Sequence, residues 1–278
     1  MKTPTVQLLD RTAEGYFRWW APVLRPMAPV LAGRIDRLAP HLAGGADGAL
    51  LDVGCGTGNF VFEAARRWPR VRLTGLDAAD GMLRVLDRER ARLDQAAASR
   101  ISCVSGDAAS LPFPDASFDI VTSVFVLQQV RDRITVLAEM ARVLRPGGIM
   151  GIVGWLDTDF TYAPEVELEL ALAEARVNRP TPAIETAGHY HSMQTAAREL
   201  RRVGLRQVSP RQTCLDHPWT AADFITYRRT TRDADLFERL DADASRRTIE
   251  ALERRLSKLT RDQLVYRESV VTITARKP

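Results

Sequence analysis

Leu50-Leu51-Asp52-Val53-Gly54-Cys55-Gly56-Thr57-Gly58-Asn59 is the stretch that decides the fold. Ala49 to Val53 is a short apolar run and reads as a strand. The glycines after it let the backbone turn tightly and come close to a ligand. A helix follows, roughly Phe60 to Trp68, stopped by Pro69. A helix that starts at such a turn offers free N–H donors and a partial positive charge to a carboxylate or phosphate.

Working outward, strand and helix patterns alternate. Val71 to Leu76 reads as a second strand and Met82 to Ala98 as a second helix. Ile101 to Val104 and Phe118 to Ser123 read as strands three and four. Arg133 to Leu144 has helical spacing and is closed by Arg145-Pro146-Gly147-Gly148, proline and glycine being stop signals. Ile149 to Trp155 is the fifth strand. Repeated strand–helix units predict an α/β fold, a mostly parallel sheet with helices on both faces. Ahead of this core, Pro22, Pro26, Pro29 and Pro40 break residues 1–43 into helical pieces, a predicted lid. The core runs over 44–156. Residues 157–204 read as a substrate-side insertion, with an acidic helix at 165–176 and another at 195–203. Residues 205–278 complete the sheet, with strands at 205–214 and 270–274 around a charged helical insertion at 220–260. The whole reads as one elaborated domain.

Composition narrows the classes. The chain has 278 residues, 45% hydrophobic and 27% charged. That excludes collagen-like, coiled-coil and wholly disordered chains. Lysine and arginine total 39 against 35 acidic residues, and the charges are interspersed. There is no basic face or appended module of the kind nucleic acid requires. Cys55, Cys103 and Cys214 are widely spaced, which argues against a disulfide framework or a metal site. No 18-residue apolar run exists and the N-terminus lacks a signal core, so a soluble, cytoplasmic protein without membrane association is expected. A homodimer is compatible with the sequence.

Three carboxylates stand at strand ends: Asp52, Asp77 and Asp107. Asp77 can accept from both hydroxyls of a ribose. Asp80 fits the helix-capping role better, which frees Asp77 for a ligand. Asp107 can accept from an adenine amino group while the Ala108 N–H donates to the ring; a plain turn aspartate is the competing reading. The nicotinamide-dinucleotide pattern needs a third glycine where Asn59 stands, so the observed G-x-G-x-G speaks against that cofactor.

These segments resemble class I S-adenosylmethionine-dependent methyltransferases. Leu50 to Gly58 is similar to the first motif of that family. Gly106-Asp107-Ala108, with Leu111-Pro112-Phe113 and Phe118-Asp119, is similar to the next motif in the branch acting on quinones and natural products. Arg142 to Gly148 and Val271 to Pro278 also resemble that branch. The resemblance spans about residues 48–155. It implies a Rossmann-like sheet of seven strands, the last antiparallel. It implies that the methionine part of S-adenosylmethionine lies over Gly54, Cys55, Gly56 and Gly58, with Asp52 nearby. Asp77 would hold the ribose and Asp107 with Ala108 the adenine. Ala78, Met82, Phe125 and Tyr16 complete the expected cofactor contacts, and Ser123 to Gln128 would floor the substrate pocket.

One departure concerns catalysis. Where many relatives carry a histidine pair, this chain has Val126-Leu127-Gln128-Gln129-Val130, and glutamine cannot take a proton. His189 and His191 become the candidate bases or substrate contacts, with exposed loop histidines as the alternative. The cluster Tyr16, Phe17, Trp19 and Trp20 reads as packing for the lid, with Tyr16 reaching the cofactor. The expected function is methylation of a small apolar or aromatic metabolite. The alternatives are a protein that binds the cofactor without methylating, or uses it in a reaction such as cyclisation, and an RNA or protein methyltransferase.

Overall fold

The computed structural model describes residues 3–158, 160–179 and 187–278. Seven strands form one sheet: β1 (Gly48–Val53), β2 (Val71–Asp77), β3 (Ile101–Ser105), β4 (Phe118–Val124), β5 (Leu144–Trp155), β6 (Arg206–Pro218) and β7 (Val265–Arg276), in the order β3-β2-β1-β4-β5-β7-β6. β1 to β5 are parallel, and β7 runs antiparallel to both β5 and β6. The five parallel strands match the predicted sites to within a residue or two, except that β5 starts earlier.

The central strands are apolar on both faces because helices cover both. In β1, Leu50 and Val53 are wholly buried, as is Val121 in β4. Strand order reverses between β1 and β4, so the loops leaving these two strands diverge. The crevice this opens at their C-terminal ends is where open α/β sheets bind ligands.

Four local expectations are corrected. The helix predicted over 82–98 is two helices, Asp80–Arg90 and Gln95–Ala98, because Asp94 accepts from the Ala97 N–H and caps a new start. Pro29 does not break the lid: it is the third residue of helix Met27–Leu38, where a missing N–H costs nothing. Arg145-Pro146-Gly147-Gly148 does not lie outside the strand. It is a bulge within β5, across which the pairing with β4 shifts register. Asp80 does not cap its helix, and its carboxylate accepts from the Ser105 hydroxyl at 2.7 Å.

The N-terminal segment crosses the crevice. Helix Pro4–Arg11 leads into a π-helical turn, Tyr16–Trp20. A second π-helical turn, Arg228–Arg232, packs against the short helix Ala13–Gly15 just ahead of the first. Short π-helical turns of this kind recur at functional sites. Gly15 permits the contact, since a Cβ there would sit 2.3 Å from Thr231 Oγ1.

Candidate active site

The glycine loop connects β1 to helix Asn59–Arg67. Gly54 and Gly56 have φ of 71° and 54°, conformations that side chains resist. Their surroundings differ. A Cβ on Gly54 would meet Val126 Cγ2 at 2.3 Å, whereas one on Gly56 would meet nothing within 4 Å. Gly54 therefore turns the chain, and Gly56 leaves its backbone open to a ligand. Gly58 is left-handed at 96° and begins the helix.

Asp77 braces this loop from the end of β2. One carboxylate oxygen accepts from the Gly56 N–H at 2.8 Å and the other from the Ala79 N–H at 2.9 Å. It therefore takes the turn-capping role that the sequence assigned to Asp80. The Ala78 N–H bears on the carboxylate too, so of its about four lone-pair sites one stays open to a ribose hydroxyl. Burial raises its pKa, and the hydrogen bonds from Ala79 and Gly56 oppose that. Asp52 is more deeply buried and accepts from the Thr122 hydroxyl at 2.8 Å. Burial pushes its pKa up to about 7, with Asp77 adding a smaller like-charge effect.

The other expected cofactor residues are distributed unevenly. Asp52, Gly54, Cys55 and Gly56 line a small cavity together with Tyr16, Leu24 and Asn59. Asp107 is exposed at the crevice and accepts from the Ala109 N–H at 2.9 Å, a turn aspartate with a carboxylate that still faces solvent. Ala108 beside it is half-buried. Met82 is buried against Ala13, Ala79 and Val85, so it packs the N-terminal segment onto the core rather than lining the cavity. Phe125 stands between Val124, which lines the small cavity, and Val126, which abuts Gly54. Its ring packs on Trp155 at 4.3 Å, and it lines a second, larger cavity. Its φ of 58° is a strained value for phenylalanine, held by an N–H bond to the Val153 carbonyl at 2.9 Å.

This larger cavity has a volume of about 490 Å3. Its walls are aromatic, with Trp20, Trp155, Tyr162, Trp219, Tyr227 and Tyr266 among the lining residues. The rings lock one another. Trp20 stacks on Tyr227 at 5.1 Å, and Tyr227 stacks on Trp219 at 5.2 Å. Sequence reading found Trp20 but missed the others. They come from five separate elements, and no local pattern links them. Tyr16 and Leu24 line both cavities, so the two spaces meet beneath the N-terminal segment.

Polar groups gather at one end. Gln128 lines the larger cavity; its amide donates to the Phe125 carbonyl, and its side-chain oxygen is buried without a protein partner. His189 lines the cavity as well. It is set by a bridge between Leu156 and Tyr190 just beyond β5, and Arg133 donates to the Gly188 carbonyl at 3.0 Å. His189 Nδ1 lies 3.7 Å from the Asp157 carboxylate, and burial lowers its pKa. His191 shares Asp157 but is 83% exposed and does not line the cavity, so of the two histidines only His189 is placed for chemistry. Among the described residues no cluster of His, Cys, Asp and Glu could hold a metal ion, and no helix is long and apolar enough to cross a membrane.

Residues 51–152 match the family model described as a methyltransferase domain. The likeness to that model is confined to this segment, which runs from within β1 through most of β5. A demethylmenaquinone methyltransferase of Listeria monocytogenes is 41% identical over 105 residues, 37% of this chain and 43% of that protein. The ubiquinone/menaquinone biosynthesis C-methyltransferase UbiE of Dinoroseobacter shibae is 37% identical over 137 residues, 49% of this chain and 50% of that one. The chain thus spans half or less of the length of these curated relatives. The likeness to the YcgJ protein of Bacillus subtilis covers 86% of this chain and 97% of that chain, at a TM-score of 0.55 and 21% identity, which shows the shared fold. The matched segment carries the glycine loop and Asp77. Most of the aromatic cavity lies outside it.

The residues fit S-adenosylmethionine in kind: an open backbone at Gly56, remaining acceptor capacity on Asp77 and an exposed Asp107. Space is the constraint. Tyr16 and Leu24 line the cavity over the loop, whose volume of about 30 Å3 is far below the several hundred of an ordinary ligand pocket. Seating a nucleoside there requires the Tyr16 segment to move outward.

Proposed function

We propose that this chain transfers the methyl group of S-adenosylmethionine to a small aromatic or apolar acceptor held in the larger cavity. One observation carries the reading: Tyr16 and Leu24 line both cavities, so a cofactor over Gly56 and an acceptor among the rings would share one wall. The cofactor supplies an electrophilic methyl on a sulfonium. The protein's residues supply position. The open backbone surface at Gly56, Asp77 and the start of helix Asn59–Arg67 hold the cofactor, with Asp107 and Ala108 at its adenine. Phe125 and Trp155 fix the plane of the acceptor against the end of β4. Holding two reactants in line contributes about 7–11 kcal/mol in well-oriented systems.

His189 is the general base for a hydroxyl acceptor. Its burial favours the neutral ring, which can accept a proton, and Asp157 then steadies the charged ring. Such a base is worth about 10²–10⁴-fold. Gln128 cannot accept a proton but can hydrogen-bond the acceptor through its unpartnered oxygen. The quinone substrates of the Listeria and Dinoroseobacter relatives set the first acceptors to try, reduced naphthoquinones and related phenols.

The test is calorimetric titration with S-adenosylmethionine and, separately, NADH. Assay of S-adenosylhomocysteine release with the phenol panel follows. Micromolar binding of the first alone, with acceptor-dependent release, is expected. Binding with no release from any acceptor would favour a protein that uses the cofactor without methylating, and no binding would overturn the reading.

A further inference from the structure

The larger cavity holds a carboxylate for which methyl transfer to a neutral phenol has no use. Glu268 lines its wall, two residues along β7 from Tyr266 and so on the same face of the strand. Glu268 is half-buried, and the Thr158 hydroxyl donates to its carboxylate at 3.4 Å. Burial raises its pKa, and Glu165 adds to this. The neighbouring Arg267 does not neutralise it, since it pairs with Asp262 at 2.6 Å and approaches Asp216 at 4.0 Å. Glu165, the other acid in the wall, is already paired with the buried Arg228 at 2.6 Å. The one arginine in the wall, Arg232, is exposed and acts on His189 and Tyr266. Among the described residues no basic side chain forms an ion pair with Glu268.

The rings around it suit a cation. Tyr266 meets Tyr162 at 5.3 Å, Trp20 at 5.5 Å and Trp155 at 6.1 Å, each edge to face. Aromatic faces attract cations most strongly where water is excluded. A partly desolvated carboxylate without a counter-ion costs free energy that a cationic ligand would recover. Resting on the methyltransferase reading above, we infer that the acceptor is an aromatic molecule bearing a protonated amine, which Glu268 holds against the rings of Tyr266, Tyr162 and Trp155. The amine is a handle for orientation; Glu268 is a binding residue, and no bond changes at it.

Tyramine and 4-ethylphenol test this, because they share a phenol ring and differ in the ammonium group. Each is titrated calorimetrically into the full chain saturated with S-adenosylhomocysteine, whose own binding is measured first. The wild-type chain should bind tyramine about tenfold or more tightly than 4-ethylphenol, as a charge-assisted hydrogen bond predicts. Glu268→Gln should abolish that preference and leave 4-ethylphenol binding within about twofold. Equal affinities, a preference for the phenol, or no binding of either probe would overturn the inference. So would a Glu268→Gln variant that weakens both probes alike. Failure of S-adenosylhomocysteine to bind is a separate outcome that strikes the methyltransferase reading, and the two probes are then compared on the ligand-free chain.

Discussion

Asp52 and Asp77 stand at adjacent strand ends, and their position there was legible from the sequence. What the sequence did not carry was their division of labour, because hydrogen-bond partners such as Thr122 and the Ala79 N–H are fixed only by the fold. Burial pushes the Asp52 carboxyl up to about 7 in the folded chain, against an ordinary value of 3.8. Its raised pKa favours the protonated form, so its stabilising share is whole below about pH 4 and is lost as pH rises through about 7. Each unit corresponds to about 1.4 kcal/mol. Asp52→Asn should therefore flatten the fall in melting temperature between pH 4 and pH 7; a fall as steep as wild type would contradict the burial argument. Asp77→Ala should weaken S-adenosylmethionine binding by about 100-fold or more and also cost about 1–3 kcal/mol of stability, since two loop N–H groups lose their acceptor. Calorimetry and denaturant titration separate the two effects. His189→Ala should slow turnover about 10²-fold or more with a hydroxyl acceptor. Wild-type kcat should fall only at pH below the ordinary imidazole value of 6.5, because burial lowers the His189 pKa and protonation removes the base. In the variant that acid limb should be missing.

At the scale of elements, the core strands and helices were readable because each is decided by its own periodicity and its own proline or glycine stops. The aromatic cavity was not, since Trp155, Tyr162, Trp219 and Tyr266 are brought together by sheet closure and by the insertion. The N-terminal segment shows how such closure is held. The Asp10 carboxylate accepts from the Gly81 N–H, Glu14 pairs with Arg88, and Arg11 pairs with Asp235 and Glu238. The last of these are exposed pairs, each worth about 1 kcal/mol or less. The docking against helix Asp80–Arg90 is steric as well: a Cβ on Gly81 would lie 2.1 Å from the Asp10 carbonyl oxygen. Gly81→Ala should push residues 4–20 off that helix while leaving the sheet intact. Limited proteolysis should then cut within 4–20 faster than in wild type, and bound S-adenosylmethionine should dissociate sooner. Unchanged proteolysis would show that the segment is held elsewhere.

For the molecule as a whole, the joint between the chain's two ends matters most. Arg34, on helix Met27–Leu38, is 5% exposed and has hydrogen bonds to the Thr272 hydroxyl at 2.7 Å and to the Thr274 hydroxyl at 3.3 Å, as well as to the Ser209 carbonyl on β6. Burial lowers its pKa to about 10, so it stays charged at neutral pH. Arg34→Ala leaves several strand acceptors buried and unpaired and should cost about 3–5 kcal/mol, read from the urea midpoint. A loss below 1 kcal/mol would show that water replaces the guanidinium. The sequence marked β7 as a last strand that returns to the sheet, but not its place between β5 and β6. That place orders events during synthesis. At about 5–20 residues per second, the ribosome needs on the order of ten seconds to pass from Trp155 to Val265. Until then β5 and β6 each present an unpaired edge to other nascent chains, so slowed translation over the intervening codons should raise the demand for chaperones without altering the finished fold.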